Sequence, residues 1–222
     1  MLGGYLVISW IAVFTMISYS LCSFLKLDNA LMRTIFVWSF LMIFIAIFEM
    51  MLLFYYDYLE KKGKYYYDKD MCYWTEDASP KDAFSYKMYM DLYADYSLSD
   101  KRYCGNFKEN EGARFVLTGE VIHGLFCIVM SAIILYLYFV NNKTAIYIAA
   151  ILFSGIQFAL IIWYLSSVFL EHIYNKNEKF WWYPLLWNVP WIIVPLYIIY
   201  YAFIEIMKIP SNEKKIDCIN II

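Results

Sequence analysis

Charge is absent from most of this chain, and the gaps it leaves are long. Residues 1–25 carry no charged side chain before Lys26. Thr34–Tyr56 holds one, Glu49, and Phe115–Asn142 holds one, Glu120. Thr144–Leu170 has none, and Phe180–Ile204 has none before Glu205. A helix crossing a bilayer needs about 20 mostly apolar residues at about 1.5 Å rise. All five runs are long enough. Strands of a membrane barrel would alternate in polarity over about 10 residues, and these runs do not. The expected fold class is therefore all-α, a polytopic membrane bundle of five transmembrane helices. Composition agrees. The chain is 63% hydrophobic and only 17% charged, with mean hydropathy +0.52. A net charge of −2 supplies no basic footprint for nucleic acid, so no nucleic-acid partner is expected.

The first run lacks a basic leader, and its apolar stretch exceeds the 7–15 residues or so of a signal-peptide core. It reads as a retained helix. The connections differ in kind. Lys26–Arg33 is tight and carries an Asp28-Asn29 cap signal. Asn141–Thr144 is a tight turn, and Glu171–Lys179 is short and polar. The exception is Glu60–Arg114, 55 residues opening with Glu60-Lys61-Lys62-Gly63-Lys64 and holding nine of 23 tyrosines. Tyrosine suits a surface half apolar and half wet, so the segment reads as a lid or collar at the membrane interface. A solvated linker is the plainer alternative. The organisation expected is an N-terminal helix over 1–29, a four-helix membrane domain over 30–210 with the long loop at 60–114, and a polar tail over 211–222. Basic residues fall on both sides of the bundle, so charge sets no orientation.

No cysteine pair has metal-ligand spacing, and neither metal nor cofactor is expected. Cys22 and Cys127 read as packing residues within helices. Cys72 and Cys104 share the long loop; they can bridge in an oxidising lumen or remain free.

An ionisable residue at bilayer depth costs about 2.5–3.5 kcal/mol on insertion scales and is a functional candidate by default. Glu49 lies about two turns before the expected end of the second helix, and Glu120 about two turns into the third. Antiparallel neighbours place both carboxylates at similar depth. His123 follows Glu120 by three residues, on the same face. The fourth run carries Ser154, Gln157 and Tyr164 on one stripe. The fifth carries Trp181, Asn188, Trp191 and Pro195 on another, with Pro190 expected to kink it. The assembly these faces imply is a bundle around an apolar cavity. Gln157 reads equally well as interhelical glue and Asn188 less so, and Trp181 and Trp182 can form an interfacial belt, Trp182 above all. The carboxylates are harder to explain structurally, because no Lys or Arg lies within a span to pair them.

These residues resemble a known family. Glu49 is followed by Phe54-Tyr55-Tyr56-Asp57, and the loop ends with Asp100, Arg102 and Tyr103. Glu120, then Ser154 and Gln157, Trp163-Tyr164, Phe180-Trp181 and Asn188-Val189-Pro190-Trp191 follow in order. Order and spacing are similar to the emopamil-binding protein family, the sterol delta-8 to delta-7 isomerases of the EXPERA group, over roughly Met32 to Lys208. The resemblance implies a multi-pass enzyme of sterol biosynthesis in the endoplasmic reticulum membrane. It implies a sterol substrate, cationic amphiphilic amines as ligands and the lipid bilayer as surroundings, and it allows a homodimer. Glu49 and Glu120 fall on the two family glutamates, and Asn188 and Trp191 on the asparagine and tryptophan of the last helix. Glu49, Glu120 and His123 are the expected catalytic set. Asn188, Trp191, Gln157, Tyr164, Trp181 and Tyr103 are the expected substrate contacts.

The chain departs from the family at three places. The family histidine one turn before the first glutamate is Ile45 here, a threonine after the second is His123, and an acidic position of the fourth run is Ile161. His123 stands as a replacement proton shuttle from the neighbouring helix. A catalytically silent sterol- or amine-binding protein is the second reading. A proton-coupled transporter also suits intramembrane acids, but the sequence shows no inverted repeat.

Overall fold

The computed structural model describes residues 2–27, 29–83, 85–175 and 183–209, with residues 172, 174, 175 and 183–187 in backbone only. Trp181, Trp182 and the tail over 211–222 lie outside the described residues. The order is α1 (Gly3–Phe24), α2 (Ala30–Lys69), α3 (Tyr86–Asp95), α4 (Glu111–Phe139), α5 (Lys143–Asn175) and α6 (Tyr183–Lys208). Three short 3-10 turns, Pro80–Asp82, Tyr96–Leu98 and Lys101–Cys104, flank α3. Five helices, all but α3, are long and apolar enough to cross a membrane. The protein is a multi-pass helical membrane protein, as the charge gaps indicate.

The helix ends have local causes. Asn29 caps α2, its Oδ1 accepting from the backbone N–H of Leu31 at 2.8 Å and of Met32 at 3.3 Å. Asn110 caps α4 by accepting from Ala113 N–H at 3.1 Å. At the α4–α5 turn Asn141 takes a left-handed φ of 53°, a conformation asparagine tolerates. Asn142 then caps α5 through Ala145 N–H at 3.0 Å. Helix α6 continues through both Pro190 and Pro195.

One expectation is corrected. The charged run Glu60–Lys64 does not open a loop. Helix α2 runs 40 residues to Lys69 and ends where Asp70 turns left-handed at φ 51°. Charge marks where a helix leaves lipid, not where it stops. The exit is visible instead as a break in helical geometry at Tyr55 (φ −115°, ψ 20°). The Tyr55 ring stacks on Tyr86 of α3, with centroids 4.0 Å apart.

The remaining loop, residues 70–110, is a packed collar. Tyr73, Met88, Met90, Ala94 and Tyr103 are buried in it against Leu52, Leu59 and Tyr66 of α2. Asp95 accepts from the backbone N–H of Tyr73 at 2.6 Å, and Ser97 donates to Gly63 O at 2.8 Å. The start of α1 is clamped to it: Gly3 N–H donates to Glu76 O at 2.9 Å. A Cβ at Gly3 would stand 2.2 Å from Tyr73 O, so only glycine fits. No disulfide joins Cys72 and Cys104.

The apolar interior falls into two clusters. One joins the first half of α2 to the second half of α4, α5 and α6, around Trp38, Met42, Phe153 and Ile198. The other joins α1, the second half of α2 and the start of α4 to the collar. In lipid, helices associate through close packing rather than hydrophobic force, and small residues permit it. Ala46, Ala150, Ser131, Ser154 and Ala202 are almost wholly buried. The first cluster ends on α2 at Ala46 and the second begins at Leu52. Glu49 sits at that seam.

Candidate active site

Helix α4 packs tightly on α2 at Gly124. A Cβ there would lie 3.2 Å from Ala46 O and from Glu49 Cβ and Oε2. This glycine lets the two backbones close on each other, and the polar residues flanking it meet. Glu49, only 3% exposed, receives His123 Nδ1 at 3.0 Å from each carboxylate oxygen. Ligand atoms of Glu49, Glu120 and His123 all lie within 4.8 Å of one another. The equal depth expected of the two carboxylates is what the structure shows.

The collar supplies the other partners. Tyr103 donates to Glu120 Oε1 at 2.5 Å, and Tyr93 donates to Glu49 Oε1 at 3.4 Å. Burial, then the charge of Glu120, holds the Tyr103 phenol well above its ordinary pKa. Burial and the charge of Glu49 do the same at Tyr93. Both hydroxyls therefore stay protonated and serve as donors. Tyr103 is placed by its neighbours. Asp100, 1% exposed, grips Arg102 with two bonds of 2.7 Å, and Arg102 Nη2 reaches Ser167 of α5 at 3.1 Å. This clamp ties the collar to the bundle.

The other expected contacts divide. Asn188 is buried and hydrogen-bonds Tyr96, whose ring stacks on Tyr103 at 5.2 Å; it thus joins the site through the collar. Tyr164 carries a buried hydroxyl with no hydrogen-bond partner among the described residues. Trp191 packs edge-on against Trp38, centroids 4.8 Å apart. Gln157 does not present a free amide: its Oε1 accepts from Trp38 Nε1 at 2.8 Å, and its Nε2 lies 2.7 Å from Met42 Sδ and 3.6 Å from Cys127 Sγ. Trp181 lies outside the described residues.

A family model for EBP, described as EXPERA (EXPanded EBP superfamily), matches residues 86–202, a little over half of the 222 residues. The chain belongs to the EXPERA superfamily. No curated protein and no solved structure matches it. The EXPERA match takes in Tyr103, Glu120, His123, Gln157, Tyr164, Asn188 and Trp191 and starts after Glu49. Ile45 packs against the cluster around Trp38 and Met42, and Ile161 is buried at 8%.

Two expectations about this EXPERA site change. The carboxylates have no Lys or Arg within a span, yet each is paired, Glu49 with an imidazole and Glu120 with a phenol. The cavity that abuts Glu120 is narrow, about 10 Å³, lined by Leu52, Tyr56, Arg102, Tyr103 and Leu117 among others. That is room for about one water, not for a flat four-ring ligand. The two carboxylates and the imidazole are also spaced to accept one metal ion. Donors gathered from two helices escape a search for spaced cysteines and histidines.

Sequence reasoning missed Tyr93 and Cys127. Tyr93 reaches Glu49 across 44 residues and had no signal beyond the tyrosine-rich loop. Cys127 had one: it follows His123 by four residues on one helix, and its Sγ lies 3.3 Å from His123 Nε2.

Proposed function

We propose that this chain is a 3-beta-hydroxysteroid delta-8 to delta-7 isomerase of sterol biosynthesis in the endoplasmic reticulum membrane. The observation that carries the reading is the convergence of Glu49, Glu120 and His123 within 4.8 Å, Glu49 buried and the other two half-buried, in spans of an EXPERA chain. Moving a ring double bond by one position needs a proton delivered to one carbon and another removed from a second. One group must donate and another accept. Two carboxylates with different partners supply both capacities. The intermediate between the steps is a carbocation. Aromatic faces attract cations, and Trp191 is the candidate to do so here. Cationic amphiphilic amines mimic that intermediate and are the expected inhibitors. A sterol needs more space than the cavity beside Glu120 gives, so binding displaces Tyr93, Tyr96 or Tyr103.

His123 takes the part that Ile45 cannot play, because it reaches Glu49 from α4. Turnover of a delta-8 sterol by purified protein tests the reading, beside binding of a cationic amphiphile. Product formation that falls in His123→Ala supports it. Binding without turnover favours the silent sterol-binding alternative.

A further inference from the structure

Behind Glu49 runs a chain of hydrogen bonds through three helices, and its direction is set at one end. Trp38 on α2 is 5% exposed, and an indole N–H can only donate. It donates to Gln157 Oε1 on α5 at 2.8 Å. That fixes the amide so that Nε2 faces the sulfurs of Met42 and Cys127, at 2.7 and 3.6 Å. Cys127 Sγ thus accepts from Gln157 and lies 3.3 Å from His123 Nε2, where its S–H can donate to the ring nitrogen. With Nε2 accepting, the ring proton sits on Nδ1, which is 3.0 Å from both Glu49 oxygens.

We infer that Trp38, Gln157 and Cys127 form a positioning relay that holds His123 as the Nδ1–H tautomer donating to Glu49. Glu49 thereby faces a fixed N–H donor and is assigned the proton-removing role. Glu120 lies outside the relay and is the remaining carboxyl in the group, so it is assigned the proton-supplying role. Which ring nitrogen carries a proton follows from the bond the other makes, and here the other bond is the thiol's. The assignment of roles to Glu49 and Glu120 rests on the isomerase reading; the tautomer does not.

The test separates the two. The protein has two histidines; with His172→Gln and ¹⁵N-histidine labelling, only His123 reports. In detergent micelles the ring should show a protonated Nδ1 and an unprotonated Nε2. Cys127→Ala should give a mixture of tautomers, and Cys127→Ser, which still donates and accepts, should restore the original pattern. In turnover of a delta-8 sterol, Cys127→Ala should lower kcat about tenfold, the worth of one hydrogen bond, with KM unchanged and serine rescuing. A proton on Nε2 in the starting protein, or a Cys127→Ala spectrum that does not change, would overturn the relay. Absence of any turnover, with the spectra as expected, would overturn the isomerase reading and leave the relay standing.

Discussion

Glu49 and His123 lie 74 residues apart in the chain and 3.0 Å apart in the fold, joined where α4 closes on α2 at Gly124. Each answers a cost the other would carry alone, since a buried ionisable group without a partner is expensive. The pair also links the two apolar clusters, so the site's geometry and the bundle's packing depend on the same contact.

Removing the partner should therefore cost stability as well as activity. Glu49→Ala should destabilise the protein by about 1–3 kcal/mol, the range for leaving a hydrogen-bonding group without its buried partner. Glu49→Gln, which keeps a hydrogen-bonding group beside the imidazole, should cost less. Both should lower turnover by about 10²-fold or more, the usual contribution of a general acid or base. Denaturant unfolding in detergent and sterol turnover check the two halves separately.

Gly124→Ala should force α2 and α4 apart, because its new methyl meets Ala46 O and the Glu49 side chain at 3.2 Å. Overpacking of this kind costs about 1–3 kcal/mol, and the Glu49–His123 contact should lengthen with it. Gly119→Ala is the control, since nothing lies within 4 Å of a Cβ there. Equal thermal stability of the two variants would contradict the packing argument.

The clamp of Asp100 on Arg102 should govern the collar. Asp100→Ala leaves Arg102, whose side chain is 14% exposed, without its bidentate partner. A cost of about 2 kcal/mol is expected, below the range of about 3–5 for a fully buried pair because Arg102 retains some water. The collar should become sensitive to protease between residues 70 and 110 while the spans stay protected. Limited proteolysis followed by mass spectrometry reads this directly.

The collar should also respond to pH through Asp91. Burial is the first cause raising its carboxyl above the ordinary value of 3.8, opposed by Tyr58 and the neighbouring lysines. An acid with a raised pKa in the folded state binds its proton more tightly there than when unfolded. Its contribution is therefore fully present below about pH 3.8 and is lost as pH rises through the raised value. Relative to Asp91→Asn, the unmodified protein should lose stability as pH rises across that window. Parallel stability profiles for the two proteins would contradict it.

The sequence showed the spans plainly, because a bilayer excludes charge and the gaps between charges are long. It showed Glu49 and Glu120 for the same reason, as the residues that break those gaps. The second half of α2 was hidden because a charged amphipathic helix outside lipid leaves no apolar gap. The collar contact of Tyr93 was hidden by distance in the chain, since nothing local tells which of nine tyrosines turns inward, and Tyr103 was marked only by the family resemblance. The roles of Gln157 and Cys127 were hidden by their neutrality. An amide and a thiol within a span look like packing until their partners are known.

The most direct measurement is product analysis after purified protein is given a delta-8 sterol, alone and with Glu120→Gln beside it. The account predicts delta-7 product from the unmodified protein and a loss of about 10²-fold or more in the variant. Saturable sterol binding with no delta-7 product would contradict it.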